Sequence, residues 1–135
     1  MPANTKPIFP LSIAGSAVTI VNADGTSEKT VATAGANGSR VDSVPMTSDD
    51  TSDRVFKVLM NNGSTSYPVG EVTAKAGAGT DGTTKAQNVL NDIDLPWLDA
   101  SGSLWLKAGW TLKMAAKVAV TAAKTVSVVA IGGDY

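Results

Sequence analysis

The segment "GANGSR" (Gly35 to Arg40) carries residue types that could hold an anion, with two glycines, an Asn and an Arg in six residues. Phosphate loops work because backbone N–H groups at a helix N-terminus point at the anion. The common motif also needs a Lys followed by Ser or Thr, with a helix beyond it. Here "VDSV" follows, which reads as a strand. The stretch therefore predicts a turn with Asn37-Gly38 at its tip. Arg40 and Asp42, two apart, share one strand face and are placed to pair with each other or with a neighbouring subunit.

The acidic residues cluster in "TSDDTSD" (Thr47 to Asp53) and "NDIDLPWLD" (Asn91 to Asp99). A hydrolase built on paired carboxylates needs two of them facing each other across a cleft, one with a raised pKa. Nothing in the spacing requires that arrangement. "NADGTSE" (Asn22 to Glu28) has oxygens in suggestive positions but lacks the alternating set and distal Glu of a calcium loop, and reads as an Asp-Gly turn. The chain has no Cys and no His. That excludes a Ser-His-Asp triad, a cysteine nucleophile, a disulfide framework and a thiolate or imidazole metal site. Carboxylate chemistry, or an oxygen-ligated Ca²⁺ or Mg²⁺, remains open.

A formal charge of −1 provides no basic field for nucleic acid. Charge is nevertheless uneven: Asp42, Asp49, Asp50 and Asp53 lie in one stretch, and Lys107, Lys113, Lys117 and Lys124 in another. Such a pattern is either an ordinary solvated surface or two faces that dock against oppositely charged partners. Trp97, Trp105 and Trp110 fall close together in "LPWLDASGSLWLKAGW". They serve either as core packing or as anchors at a protein contact, where Trp is enriched. With only Lys107 beside them, a base-stacking platform is disfavoured.

The elements that must position these residues read as β-structure. Asp24-Gly25, Asn37-Gly38, Asn62-Gly63, Asp81-Gly82 and Ser101-Gly102 punctuate the chain with tight-turn dipeptides. "TLKMAAKVAVT" (Thr111 to Thr121) alternates, with Leu112, Met114, Ala116, Val118 and Val120 on a buried face and Lys113 and Lys117 on a wet one. "KTVSVVAIGG" (Lys124 to Gly133) is expected to pair with it as a closing hairpin. "DRVFKVLMNN" (Asp53 to Asn62), apolar on both faces, predicts a central strand. "STSYPVGEVTA" (Ser64 to Ala74) returns from it as an edge or bulged strand, because Pro68 lacks a ladder donor. "SAVTIVNA" and "SEKTVAT" are expected to pair across Asp24-Gly25. "AKAGAGTDGTTKAQ" (Ala74 to Gln87) reads as a long loop suited to ordering on a partner.

At 135 residues the chain suits one domain. Residues 1–15 are expected to form an extended N-terminal arm, with three prolines between Met1 and Leu11, and residues 16–135 an all-β antiparallel sandwich. "IFPLSIAGSAV" is a poor signal peptide, with Pro10 inside the apolar run and only Lys6 before it. No apolar run approaches the roughly 20 residues that cross a bilayer, so no membrane association is expected.

"TAGANGSRVDSV", "VFKVLMNNGSTSY", "LKAGWTLKM" and the ending "AIGGDY" together resemble small structural proteins of tailed bacteriophages, above all the capsid decoration or cement proteins. The resemblance spans Val31 to Tyr135. "LKAGWTL" also resembles the Leu-x-x-Gly-x-x-Leu lead-in of jelly-roll proteins. The resemblance implies a jelly-roll-like sandwich without enzyme activity or cofactor. It would self-associate as a dimer or trimer and bridge major capsid proteins on the virion exterior, after synthesis in the host cytoplasm. Alternatives are another virion module (tail, neck or head fibre) or a carbohydrate-binding sandwich that uses the tryptophans. Lys6, Phe9, Arg40, Asp42, Trp97, Trp105, Lys113, Lys117 and Tyr135 are the candidate interface residues.

Overall fold

The computed structural model describes residues 9–92 and 102–135. Two antiparallel sheets face each other across an apolar core, an all-β sandwich. In chain order the strands are β1 (Ser12–Val21), β2 (Lys29–Thr33), β3 (Ser39–Ser43), β4 (Pro45–Ser48), β5 (Arg54–Asn61), β6 (Ser66–Ala74), β7 (Gln87–Asn88), β8 (Leu104–Leu106), β9 (Thr111–Ala116) and β10 (Thr125–Asp134), with one helical turn, α1 (Val89–Asp92), after β7. One sheet runs β7-β4-β10-β3-β8 with β1 also on β10; the other runs β2-β9-β5-β6.

The alternation expected for β10 holds. Val126, Val128 and Ala130 point into the core, as do Phe56, Val58 and Met60 of β5 and Leu112 and Met114 of β9. β5 lies between β9 and β6, the central place its two apolar faces predicted. β6 is an edge strand, and the register slips where Val58 and Leu59 oppose Gly70 and Pro68, so Val69 is the extra residue of a bulge. Pro68 is therefore accommodated in both of the ways its missing donor allows.

Two expected hairpins do not form. β1 pairs with β10 and β2 with β9, so Asp24-Gly25 lies on a crossing between sheets. The reason is local: Asp24 accepts from Val21 N at 2.9 Å and from Lys29 Nζ at 2.9 Å, while Asn22 Nδ2 donates to Val120 O at 2.7 Å. These bonds fix a 3-10 turn over Asn22–Asp24 that directs the chain to the opposite sheet. Likewise β9 ends at Ala116, and β10 lies in the other sheet. Lys117 N still bonds Val55 O at 3.0 Å, but beyond it Val118 is 63% exposed, not buried as its alternation predicted, and Val120 alone turns back into the core.

The Ala74–Gln87 segment, read as a loop awaiting a partner, is tied to its own fold. Ala78 is fully buried, its carbonyl accepts from Ser48 N at 2.9 Å, and Gly77 N donates to Asp50 O at 3.2 Å. Asp81 caps the turn that follows. Ser12 to Gly15, assigned from the sequence to the arm, form the start of β1 opposite Asp134 to Ile131.

β10 touches β3 most closely at Gly132, where an added Cβ would stand 1.8 Å from Arg40 O. Gly132→Ala should therefore cost about 3 kcal/mol through forced separation of β3 from β10. Gly15→Ala, whose Cβ would meet nothing nearer than Ala130 O at 3.8 Å, should change stability by less than about 0.5 kcal/mol. Urea unfolding of the two variants checks the contrast.

Candidate functional site

Apart from Tyr67 and Val118, the exposed large apolar side chains gather on the outward face of the β10 sheet. Cross-strand register aligns one row over four strands: Ile13 opposes Gly133, Gly133 opposes Arg40, and Arg40 opposes Trp105. Gly133 leaves room above the sheet, and Pro10 fills it, with its Cβ 2.6 Å from where a Cβ on Gly133 would sit. Leu11 N bonds Asp134 O at 2.7 Å, which holds the chain entering β1 beside the C-terminal end of β10.

Around this row, Phe9 is 72%, Leu11 85%, Ile13 94% and Trp105 51% exposed. The Trp105 and Tyr135 rings stack with centroids 5.5 Å apart and planes 13° from parallel. With Phe9, Leu11 and the Asn37-Gly38 turn they line a shallow apolar groove of about 820 Å³. Tyr135 N donates to Gly38 O at 3.2 Å, and Ser39 Oγ bonds the Asp134 carboxylate, so the β2–β3 turn braces the C-terminus. The Tyr135 hydroxyl is buried without a hydrogen-bond partner.

"GANGSR" is the turn its sequence predicted. Gly38 has φ +91°, and its N–H donates to Gly35 O at 3.0 Å. Gly35 N is taken up by Ser39 Oγ at 2.8 Å, so these donors serve the fold. Arg40 and Asp42 face each other, with Nε to Oδ1 at 2.9 Å, and Ser103 Oγ donates to the same carboxylate at 2.8 Å. The pair lines a separate, smaller hollow beside that groove, together with Leu11 and Ile13.

Among the candidate residues, Phe9, Arg40, Asp42, Trp105 and Tyr135 come together on this face. Lys113 and Lys117 belong to the other sheet's surface. Lys113 Nζ is 4.0 Å from Glu28 and Lys117 Nζ 2.7 Å from Glu71, so these two lysines of the basic stretch are balanced by acids distant in sequence. Lys6 and Trp97 lie outside the described residues. Leu11, Ile13, Val129 and Ile131 also belong to the face and were not among the candidates. Their signal was present as apolar residues on both faces of β1 and β10, a pattern that ordinarily means burial on both sides.

The acidic stretch around Asp50 is structural. Asp50 is buried after β4 and accepts from Ser52 N at 3.0 Å, Arg54 Nε at 3.0 Å, Thr121 N at 2.9 Å and Thr121 Oγ1 at 2.8 Å. Burial pushes its pKa up, but the bonds from Thr121, Ser52 and Arg54 outweigh it and hold the carboxyl well below the usual carboxylate range. The same residues link the strand leaving one sheet to the strand entering the other. The backbone N–H groups of Thr84 and Thr83 hold Asp81 down to about 2. Among the described residues no three carboxylates converge to hold a metal ion.

No protein-family model matches the chain, and neither a curated protein nor a solved structure matches it.

The depressed carboxylates make stability acid-sensitive. The unfolded chain takes up protons near 3.8 and the folded one only at lower pH, so stability is full above that value and declines as pH falls through it. Asp50→Asn should flatten this acid limb in pH-dependent urea titrations. Asp50→Ala should cost roughly 3 kcal/mol at neutral pH, because it strands Arg54 and the Thr121 donors.

Proposed function

We propose that this protein is a non-enzymatic structural component of a phage virion. In this reading it binds the outer surface of the capsid and stabilises the shell by bridging major capsid proteins. The observation that carries the reading is the concentration of Phe9, Leu11, Ile13 and Trp105, all exposed, on one face of one sheet. Monomeric proteins rarely leave such a contiguous apolar surface open, and aromatic anchors beside apolar neighbours are the usual heart of a protein contact. The likeness of four sequence segments to decoration proteins supplies the partner. A protein that binds only the assembled shell stabilises that shell by its binding free energy. Self-association as a dimer or trimer would place several such faces over adjoining capsomers.

The reading places the protein on the virion exterior, with no part for nucleic acid, membrane or cofactor. Trp105 stacked on Tyr135 favours one other reading, a carbohydrate platform.

Co-sedimentation with purified heads that lack the protein tests the proposal. Saturable binding to assembled shells at many copies per shell is expected, with none to unassembled subunits. Trp105→Ala should weaken binding about tenfold, equivalent to about 1.4 kcal/mol, and deletion of Met1–Leu11 should lower occupancy. Failure to bind assembled shells overturns the reading, and a dozen copies or fewer per virion would move the protein to the tail or neck. Sugar-dependent quenching of tryptophan fluorescence would favour the carbohydrate platform.

A further inference from the structure

β1 is an edge strand of unusual character. All ten of its residues, Ser12–Val21, pair with β10, and among the described residues no strand pairs with its other side. Its sequence, SIAGSAVTIV, contains neither a charge nor a proline. Folded proteins normally blunt long edges with charges, prolines, bulges or shortness, because unpaired N–H and C=O groups invite another strand. The other edges here are blunted in those ways. β6 has Pro68, a bulge at Val69 and Glu71; β2 has five residues and begins with Lys29; β8 has three residues and β7 two. β2 approaches β1 without pairing with it: Ser16 Oγ donates to Val31 O, and beside that bond a cleft of about 550 Å³ separates Ile13–Ser16 from Thr30–Thr33.

We infer that β1 is a self-association edge, which pairs antiparallel with β1 of a second copy across a two-fold axis. Unpaired backbone groups call for a strand as occupant. Length and charge select the second copy's β1. It is the longest edge among the described strands and carries neither a proline nor a bulge, and an uncharged strand meets itself without like-charge repulsion. Pairing would join two sheets into one and bring the outward residues Ile13 and Ala17 of both copies together, beside Val129 and Ile131. The contact is isologous, so it closes at two chains and leaves no further edge of this kind.

The inference deepens the self-association in the reading above and does not depend on shell binding. Sedimentation equilibrium of the full chain tests it. The expected mass is twice 13.7 kDa, with amide exchange across Ser12–Val21 slowing as concentration rises. Ala17→Lys, at an exposed outward position, should keep the circular dichroism spectrum and weaken dimerisation at least roughly tenfold, because it sets like charges on adjoining strands. Thr19→Lys repeats the test on the same face. Tyr67→Lys, on the β6 edge, should leave the dimer intact. A monomer at all concentrations, a three-chain mass, or a dimer broken by Tyr67→Lys but not by Ala17→Lys overturns the inference. A monomeric Ala17→Lys that still binds heads supports β1 as the dimer edge and leaves the capsid reading standing, so the two fail separately.

Discussion

β10 is bonded along both of its edges, and the rest of the sandwich is arranged around that fact. β1 covers one edge over all ten residues, while the other is shared between β4 near Val126 to Val128 and β3 near Ile131 to Asp134. Between those two partners the register shifts at Ile131 and Gly132, and Gly132 comes so close to the Arg40 backbone that no side chain fits. This contact lets one bent run, β3 and β4 joined at Val44, follow a single strand. It also sets which residues of β3 point outward, and hence that Arg40 lies between Gly133 and Trp105.

The outward face is built from the same constraint. Gly133 is bare because Pro10 packs there, and the chain entering β1 is thereby pressed against the C-terminal strand. Phe9 and Leu11 then reach the stacked Trp105 and Tyr135, although the two groups are nearly a full chain length apart in sequence. Leaving these side chains in water forgoes about 25 cal/mol for each Å² of apolar surface that could be buried. A partner that covers the face recovers that free energy. The opposite sheet shows a contrasting solution: Lys113 and Lys117 there are paired with Glu28 and Glu71, and the β6 edge carries proline and a bulge.

The loops owe their order to buried polar bonds. Asp50 joins the end of β4 to Arg54 at the start of β5 and to Thr121 on the crossing before β10. It also anchors the Ala74–Gln87 segment through its carbonyl. A glycine-rich, alanine-rich composition suggests looseness when read alone. Here small residues instead allow Ala78 to enter the core and its neighbours to lie close against Ser48 and Thr47.

Much was legible in the residues themselves. Alternation in β5 and β10, the bulge beside Pro68, the turn at Asn37-Gly38 and the all-β class all follow from side-chain period and backbone restriction, which act over a few residues. Arg40 and Asp42 met because residues two apart on a strand share a face. Which strand pairs with which did not follow. Asp24-Gly25 has the chemistry of a hairpin, yet bonds from Asn22 and Asp24 to Val120, Val21 and Lys29 carry the chain across the core. β9 and β10, adjacent in sequence, lie in different sheets for a like reason: Val120 is buried by turning inward, not by extending the strand. Nor could alternation tell an apolar residue covered by a second layer from one left open. Ile13 and Phe56 look equally suited to burial, and only the placement of the second sheet under one face of β1 leaves Ile13 in solvent.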